Sequence, residues 1–210
     1  MKNSDAYQKF YNQIHATGKQ RMDGYDPNLM EKIYDWERDE IEKKIWELYC
    51  TEGDINVAIF LPQLRNYQGM KKLEDSLENN ISSEKKLIIA IILYEKTSNI
   101  IYFEIIKKNI ESNLNEVSNI SKLLECKPDL NICELLIYVY INSSDEIVRD
   151  TAVTGVLYNK GIINDPFDIT EMVNKVELAR KYDINNRVKR KSDYRSILLS
   201  YRRYNKLSQG

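Results

Sequence analysis

The stretch "DWERDEIEKKIWE" brings Asp35, Glu37, Asp39, Glu40, Glu42 and Glu47 close together in the chain. Carboxylates at short range do two kinds of chemistry, proton transfer at a glycosidic bond and ligation of a divalent cation. Both need acids converging on a cleft from more than one element. Here Ile41 and Ile45 recur at a helical interval, so the acids line a single predicted helix. Two readings follow: a solvated face held by short surface pairs such as Glu40 with Lys43 or Lys44, or a docking surface for a basic partner. Trp36 and Trp46 accompany the acids. An aromatic ring beside charges can anchor an interface, while Trp46, Leu48 and Tyr49 continue the apolar pattern into a core.

Other chemistry finds little material. His15 is the only histidine, so a nucleophile–histidine relay would rest on one residue beside Ile14 in an amphipathic segment. Cys50, Cys126 and Cys133 are odd in number and lack CxxC or zinc-ligand spacing, which suits reduced thiols. No glycine-rich phosphate loop is present. The expectation is a chain that is not an enzyme, with no catalytic residue, metal site or cofactor.

Charge is divided unevenly. Between Arg180 and Lys206 ten basic residues face two acidic ones, a net of +8, while the remainder holds 21 basic and 30 acidic residues, a net of −9. The basic segment interleaves Lys189, Arg190, Lys191, Arg195, Arg202 and Arg203 with tyrosines, a combination that can engage phosphates and stack on bases. Its other reading is a capping helix after Ser192, with Tyr194, Ile197, Leu198, Tyr201 and Tyr204 inward and the cations wet.

The elements that must position these residues are helices. Of 210 residues 42% are hydrophobic and 30% charged, which suits a folded chain, and 7 glycines with 4 prolines are too few for the turns of a β-sandwich. "MKNSDAYQKF" lacks the apolar run of a secretory signal, and the longest apolar run, Leu87 to Tyr94, is too short to span a bilayer. A cytoplasmic protein without membrane contact is expected.

Three stretches keep step along the chain. Tyr49, Tyr94 and Tyr140 each end an apolar run and precede Asp54, Asn99 and Asp145 by the same interval. Helical periodicity before each tyrosine (Ile41, Ile45, Leu48; Leu87, Ala90, Ile91, Leu93; Leu135, Leu136, Val139) predicts a first helix. The Asp or Asn side chain can cap a second one. Intervening helices are predicted over Tyr67 to Leu77 and Leu114 to Leu124, Pro62 should bend or shorten the second helix of the first pair, and "INDPFDIT" should turn into a helix carrying Met172, Val173, Val176 and Leu178. At the start of the chain, an apolar stripe from Tyr7 to Ile14 predicts a helix ended by Gly18, with a turn from Gly24 to Pro27.

A repeat of helix pairs at this period belongs to stacked helical arrays. Asp145, Val148, Arg149 and Ala152 in "DEIVRDTA" match the D-x-x-V-R-x-x-A pattern that begins the second helix of many HEAT repeats, so this segment resembles the HEAT/armadillo family. The resemblance implies a bond between successive units for Asp145 and Arg149. The other copies depart from it, with Ala58 and Phe103 at the arginine position and Leu61 and Ile106 at the alanine position. It implies an all-α fold, an irregular right-handed α-solenoid of HEAT-like helix pairs with terminal capping helices. As one domain over 1–210, it would have an N-terminal cap over 1–34, helix pairs over 35–161 and C-terminal helices with a basic cap over 162–210.

The second helices, Asp54 to Arg65, Asn99 to Glu111 and Asp145 to Asn159, would then form the contact wall. Expected partner contacts are Asp35, Glu37, Asp39, Glu40, Glu104, Lys107 and Arg149. The Ile-, Lys- and Asn-rich composition, with "RMDGYDPNLMEKIYDWERDEIEKKIWELY", is similar to bacterial immunity proteins that neutralise polymorphic or contact-dependent toxins. That resemblance implies a cytoplasmic inhibitor that binds a cognate toxin domain, in many cases a nuclease, by charge complementarity. The alternatives are a HEAT-like nucleic-acid-binding or DNA-repair protein using the basic C-terminal residues, and a scaffold or assembly module with an exposed apolar groove.

Overall fold

The computed structural model describes residues 2–16, 25–174 and 186–193, and among these every regular element is a helix. The chain forms two compact units, Met1–Ser98 and Asn99–Gly210. Their boundary falls inside the second tyrosine-to-cap stretch, which gives its first helix to one unit and its second helix to the other. No helix among the described residues is long and apolar enough to cross a membrane.

The first unit begins with α1, Asp5–Ile14, whose first turn is closed by Ser4: the Tyr7 backbone N–H donates to Ser4 Oγ at 3.1 Å. Gly18 and Gly24, the predicted end of this helix and start of the next turn, lie outside the described residues. A short α2, Leu29–Lys32, leads to a 3-10 turn, Asp35–Glu37, which runs directly into α3, Arg38–Glu47. Helix α3 buries Ile41 and Ile45 and then widens into a π-helical turn, Leu48–Glu52, carrying Tyr49. Gly53 ends that turn at φ +69°, a left-handed conformation that costs a side-chain-bearing residue free energy.

Asp54 caps the next element as expected, accepting from the Asn56 N–H at 3.0 Å. That element, Ile55–Gln63, is a 3-10 helix in place of the expected second helix bent or shortened at Pro62. Pro62 has no N–H to donate, and in an α-helix its ring would collide with the Ala58 carbonyl. The tighter coil still buries Val57, Ala58, Phe60 and Leu61. Helix α4, Gly69–Glu78, starts hard against it: a Cβ on Gly69 would collide with the Leu61 carbonyl, so the close approach requires glycine. Helix α5, Ser83–Thr97, is capped by Ser82 and buries Leu87, Ile89, Ala90 and Leu93. Each of these buried Leu and Ile side chains contributes about 1.5–3 kcal/mol.

In the second unit Asn99 caps α6, Ile100–Ser112, by accepting from the Ile101 N–H at 3.0 Å. Helix α7 spans Val117–Leu124. Asp129 caps α8, Leu130–Asn142, and Asp145 caps α9, Glu146–Asn159, accepting from the Val148 N–H at 3.0 Å. Helix α9 packs closely on α8 and also on α7, burying Val148, Ala152, Val156 and Leu157, with the Leu136 and Leu124 side chains against Gly155. Helix α10, Ile169–Asn174, begins the predicted helix after "INDPFDIT"; Val176 and Leu178 lie outside the described residues. The last described element, α11 over 187–193, lies upstream of the helix predicted after Ser192, and Tyr194, Ile197, Leu198, Tyr201 and Tyr204 lie outside the described residues. Asn186 opens α11 by accepting from the Val188 N–H at 2.9 Å. Val188 is its only apolar residue, so periodicity gave no sign of it.

Candidate functional site

The acidic stretch serves the interior of the first unit. Glu37, expected on the exposed face, has 0% exposure. Its Oε1 accepts from the Ser4 N–H at 2.7 Å, and its Oε2 accepts from the Ser4 hydroxyl at 2.7 Å and the Tyr34 N–H at 2.9 Å. Burial alone would push this carboxyl up, but the hydrogen bonds from Ser4 and Tyr34 outweigh it and hold the group below its ordinary value. One carboxylate thereby ties the start of α1 to the turn that opens α3.

Glu42 does the same work one turn further on. It also has 0% exposure and accepts from Arg38 Nε at 2.9 Å, from the Arg65 N–H at 3.1 and 3.0 Å, and from the Asn66 N–H at 2.9 Å. Arg38 turns inward with it, its two terminal nitrogens donating to Met30 O at 3.2 Å and Gln63 O at 3.1 Å. Asp39 accepts from Asn66 Nδ2 at 2.9 Å, and Glu40 accepts from the hydroxyls of Tyr7 at 2.8 Å and Tyr11 at 3.0 Å. Burial and the Glu40 carboxylate both raise the two tyrosines. Asp39 and Glu40 are exposed and remain accessible, but both side chains already hold neighbouring elements.

At the start of this stretch Asp35 is exposed, flanked in sequence by two exposed aromatic rings. Tyr34 and Trp36 are 52% and 50% exposed and stack with ring centroids 6.0 Å apart at 27°. Trp46, by contrast, stacks on Tyr67 at 4.9 Å and joins the packed part of the unit. The aromatic pair stands on the 3-10 turn fixed from beneath by Glu37, whose own N–H donates to Tyr34 O at 3.0 Å. The exposed Trp was legible in the sequence only as a residue beside charges; its stacking on Tyr34 has no periodic signal.

The remaining expected contacts lie in the second unit. Glu104 is exposed and Lys107 half-buried on α6. Arg149, expected on the contact wall, is interior instead: it is 6% exposed, with Nη1 donating to Ser144 O at 2.9 Å. The helix periodicity of α9 turns it to the same side as Val148 and Ala152.

Arg190, expected to meet an anion, is likewise interior at 5% exposure. Its Nε and Nη2 donate to Ile141 O at 3.3 and 3.2 Å, and Nη2 reaches Ser143 O at 3.5 Å. Burial and the neighbouring Arg149 charge lower its pKa. Arg187 Nη2 donates to Asn142 Oδ1 at 2.7 Å, and Asn115 Oδ1 accepts from the Ser143 hydroxyl at 2.8 Å. The joint between α8 and α9 is thus held from several sides. Lys189 and Lys191 are exposed, and Arg195, Arg202 and Arg203 lie outside the described residues.

Among the described residues no group of three or more His, Cys, Asp or Glu side chains is placed to hold a metal ion. Burial pushes the Cys133 thiol up to about 12, and it also raises Cys50. His15 is exposed at the end of α1. Comparison of the chain with protein-family models, curated proteins and solved structures returns no match.

Proposed function

We propose that this chain is a non-catalytic protein-binding module, a cytoplasmic bacterial immunity protein that neutralises a toxin domain by direct contact, and that its helices form an irregular right-handed HEAT-like α-solenoid. The observation that carries the binding reading is the Tyr34–Trp36 pair, two large rings left half-exposed on a turn whose geometry a buried carboxylate fixes. Rigid exposed aromatics are the anchors around which protein interfaces concentrate their energy. The solenoid reading draws on the capped pair α8 and α9, with Asp145, Val148, Arg149 and Ala152 in the repeat pattern.

The acids around the pair suit a basic toxin domain, and opposite charge would speed its capture. The nucleic-acid alternative loses support at Arg190, whose guanidinium is occupied by backbone carbonyls, and keeps Lys189 and Lys191. The scaffold alternative has its own observation: Ile100, Ile101 and Ile147 stand 54%, 62% and 65% exposed on the first turns of α6 and α9.

The test is genetic and biochemical. A toxin domain from the neighbouring reading frame, which the reading requires, is expressed with and without the chain; protection of the cells and co-purification of a stable complex are expected. Cells that die equally in both cases sink the immunity reading.

A further inference from the structure

We infer that the Tyr34–Trp36 pair receives an arginine side chain from a loop of the protein partner, its guanidinium lying against the Trp36 ring and paired with Asp35. The inference rests on the protein-binding reading and names the chemistry of the contact.

Three features of the surface select this occupant. The rings are pre-positioned, because the Tyr34 N–H is bound to Glu37 at 2.9 Å and the Glu37 N–H to Tyr34 O at 3.0 Å, so little ordering cost attends binding. Residues 31–40 carry five acids against two bases, a net of −3. Neither base competes for the face: Arg38 is turned inward to Glu42, and Lys32 is paired with Asp26 at 2.7 Å. A nucleobase would stack equally well on the rings, but its phosphates would meet Asp35, Asp39 and Glu31. An aliphatic side chain would cover Asp35 and strip its water without a counter-charge.

A cation satisfies both the rings and the acid. Arginine suits the site better than lysine, since its planar, weakly hydrated guanidinium stacks on an aromatic face while its edge forms two parallel hydrogen bonds to a carboxylate. Tyr34 also borders a cleft of ≈ 370 Å³ lined by Lys2, Lys9 and Lys32 together with Asp5 and Asp26. That neighbour makes anion binding the rival outcome.

The chain has two tryptophans, so Trp46→Phe leaves Trp36 as the single indole reporter while keeping an aromatic ring on Tyr67. The full chain carrying this change is titrated with a nona-arginine peptide, a nona-lysine peptide, inorganic phosphate and an oligothymidine strand, with Trp36 fluorescence as readout. A saturable change with nona-arginine is expected, about fivefold weaker with nona-lysine, and about threefold to tenfold weaker in Asp35→Asn. Glu111→Gln, an exposed acid of the second unit, should leave it unchanged. If Trp46→Phe fails to fold, calorimetric titration of the native chain against Trp36→Ala gives the same comparison.

A response to phosphate or oligothymidine without one to nona-arginine overturns the inference, as does equal binding by Asp35→Asn. The toxin assay separates the two levels. Protection that survives Trp36→Ala with unchanged complex affinity ends the arginine contact and leaves the immunity reading standing. Absence of protection by the native chain ends the immunity reading and leaves the fluorescence result to decide the contact.

Discussion

Buried charges hold backbone groups in both units, carboxylates leading in the first and guanidinium groups in the second. In the first, buried carboxylates gather backbone N–H groups: Glu37 takes those of Ser4 and Tyr34, and Glu42 those of Arg65 and Asn66, while Arg38 beside Glu42 donates to Met30 O and Gln63 O. In the second, buried guanidinium groups gather backbone carbonyls: Arg190 takes Ile141 O and Ser143 O, and Arg149 takes Ser144 O. Helix starts and loops leave donors unsatisfied and helix ends leave acceptors unsatisfied, so acids suit the one and bases the other. Buried charges such as Glu37, Glu42 and Arg190 therefore act as intramolecular struts within their units.

The largest effect should come from Glu42→Ala. It leaves the Arg38 charge and two backbone donors without their shared acceptor, and a loss of about 3–5 kcal/mol in denaturant unfolding is expected. A loss below about 1 kcal/mol would show that Glu42 is not the strut the geometry describes.

Glu37→Gln comes next, at about 1–3 kcal/mol, because an amide keeps the shape but loses a charge-assisted acceptor. This variant also tests the sign of a pH effect. Glu37 is held below its ordinary value in the folded chain, so its contribution is present above the unfolded value of about 4.3 and is lost as pH falls through the folded value. The acid limb of the stability–pH curve should be shallower in Glu37→Gln; an identical limb would place the titrating strut elsewhere.

Arg190→Met sharpens the comparison from the other side. It should cost the second unit about 1–3 kcal/mol through the two uncovered carbonyls, while Lys189→Met, on an exposed neighbour, stays within about 0.5 kcal/mol. Equal effects of the two would return Arg190 to the role of a surface cation. Asp145→Ala, which removes one cap, should cost about 1 kcal/mol by thermal unfolding.

Much of the local structure was legible in the sequence. Asp54, Asn99 and Asp145 each cap the following element, because a cap needs only an acceptor two or three residues before a donor. The helical periodicity of Leu87 to Leu93 and of Leu135 to Val139 likewise reads directly as buried faces. The first stretch read less well: Asp54 to Gln63 has the same tyrosine-to-cap landmarks as the third copy, yet with Pro62 inside it the element is a 3-10 coil.

The chain by itself determined its helical class, its caps and most of its apolar faces, since these depend on residues within one or two turns of each other. Only the tertiary structure decided what the charges do. Glu37 and Asp35 are two residues apart and identical in kind, but Ser4, brought in from α1, draws one inside and leaves the other on the surface with Tyr34 and Trp36. Arg190 and Lys191 are adjacent cations, and the carbonyl end of α8 binds one and leaves the other in water. A charge's partner is fixed by which distant backbone group arrives beside it, and neither the sign of a residue nor its spacing contains that distance.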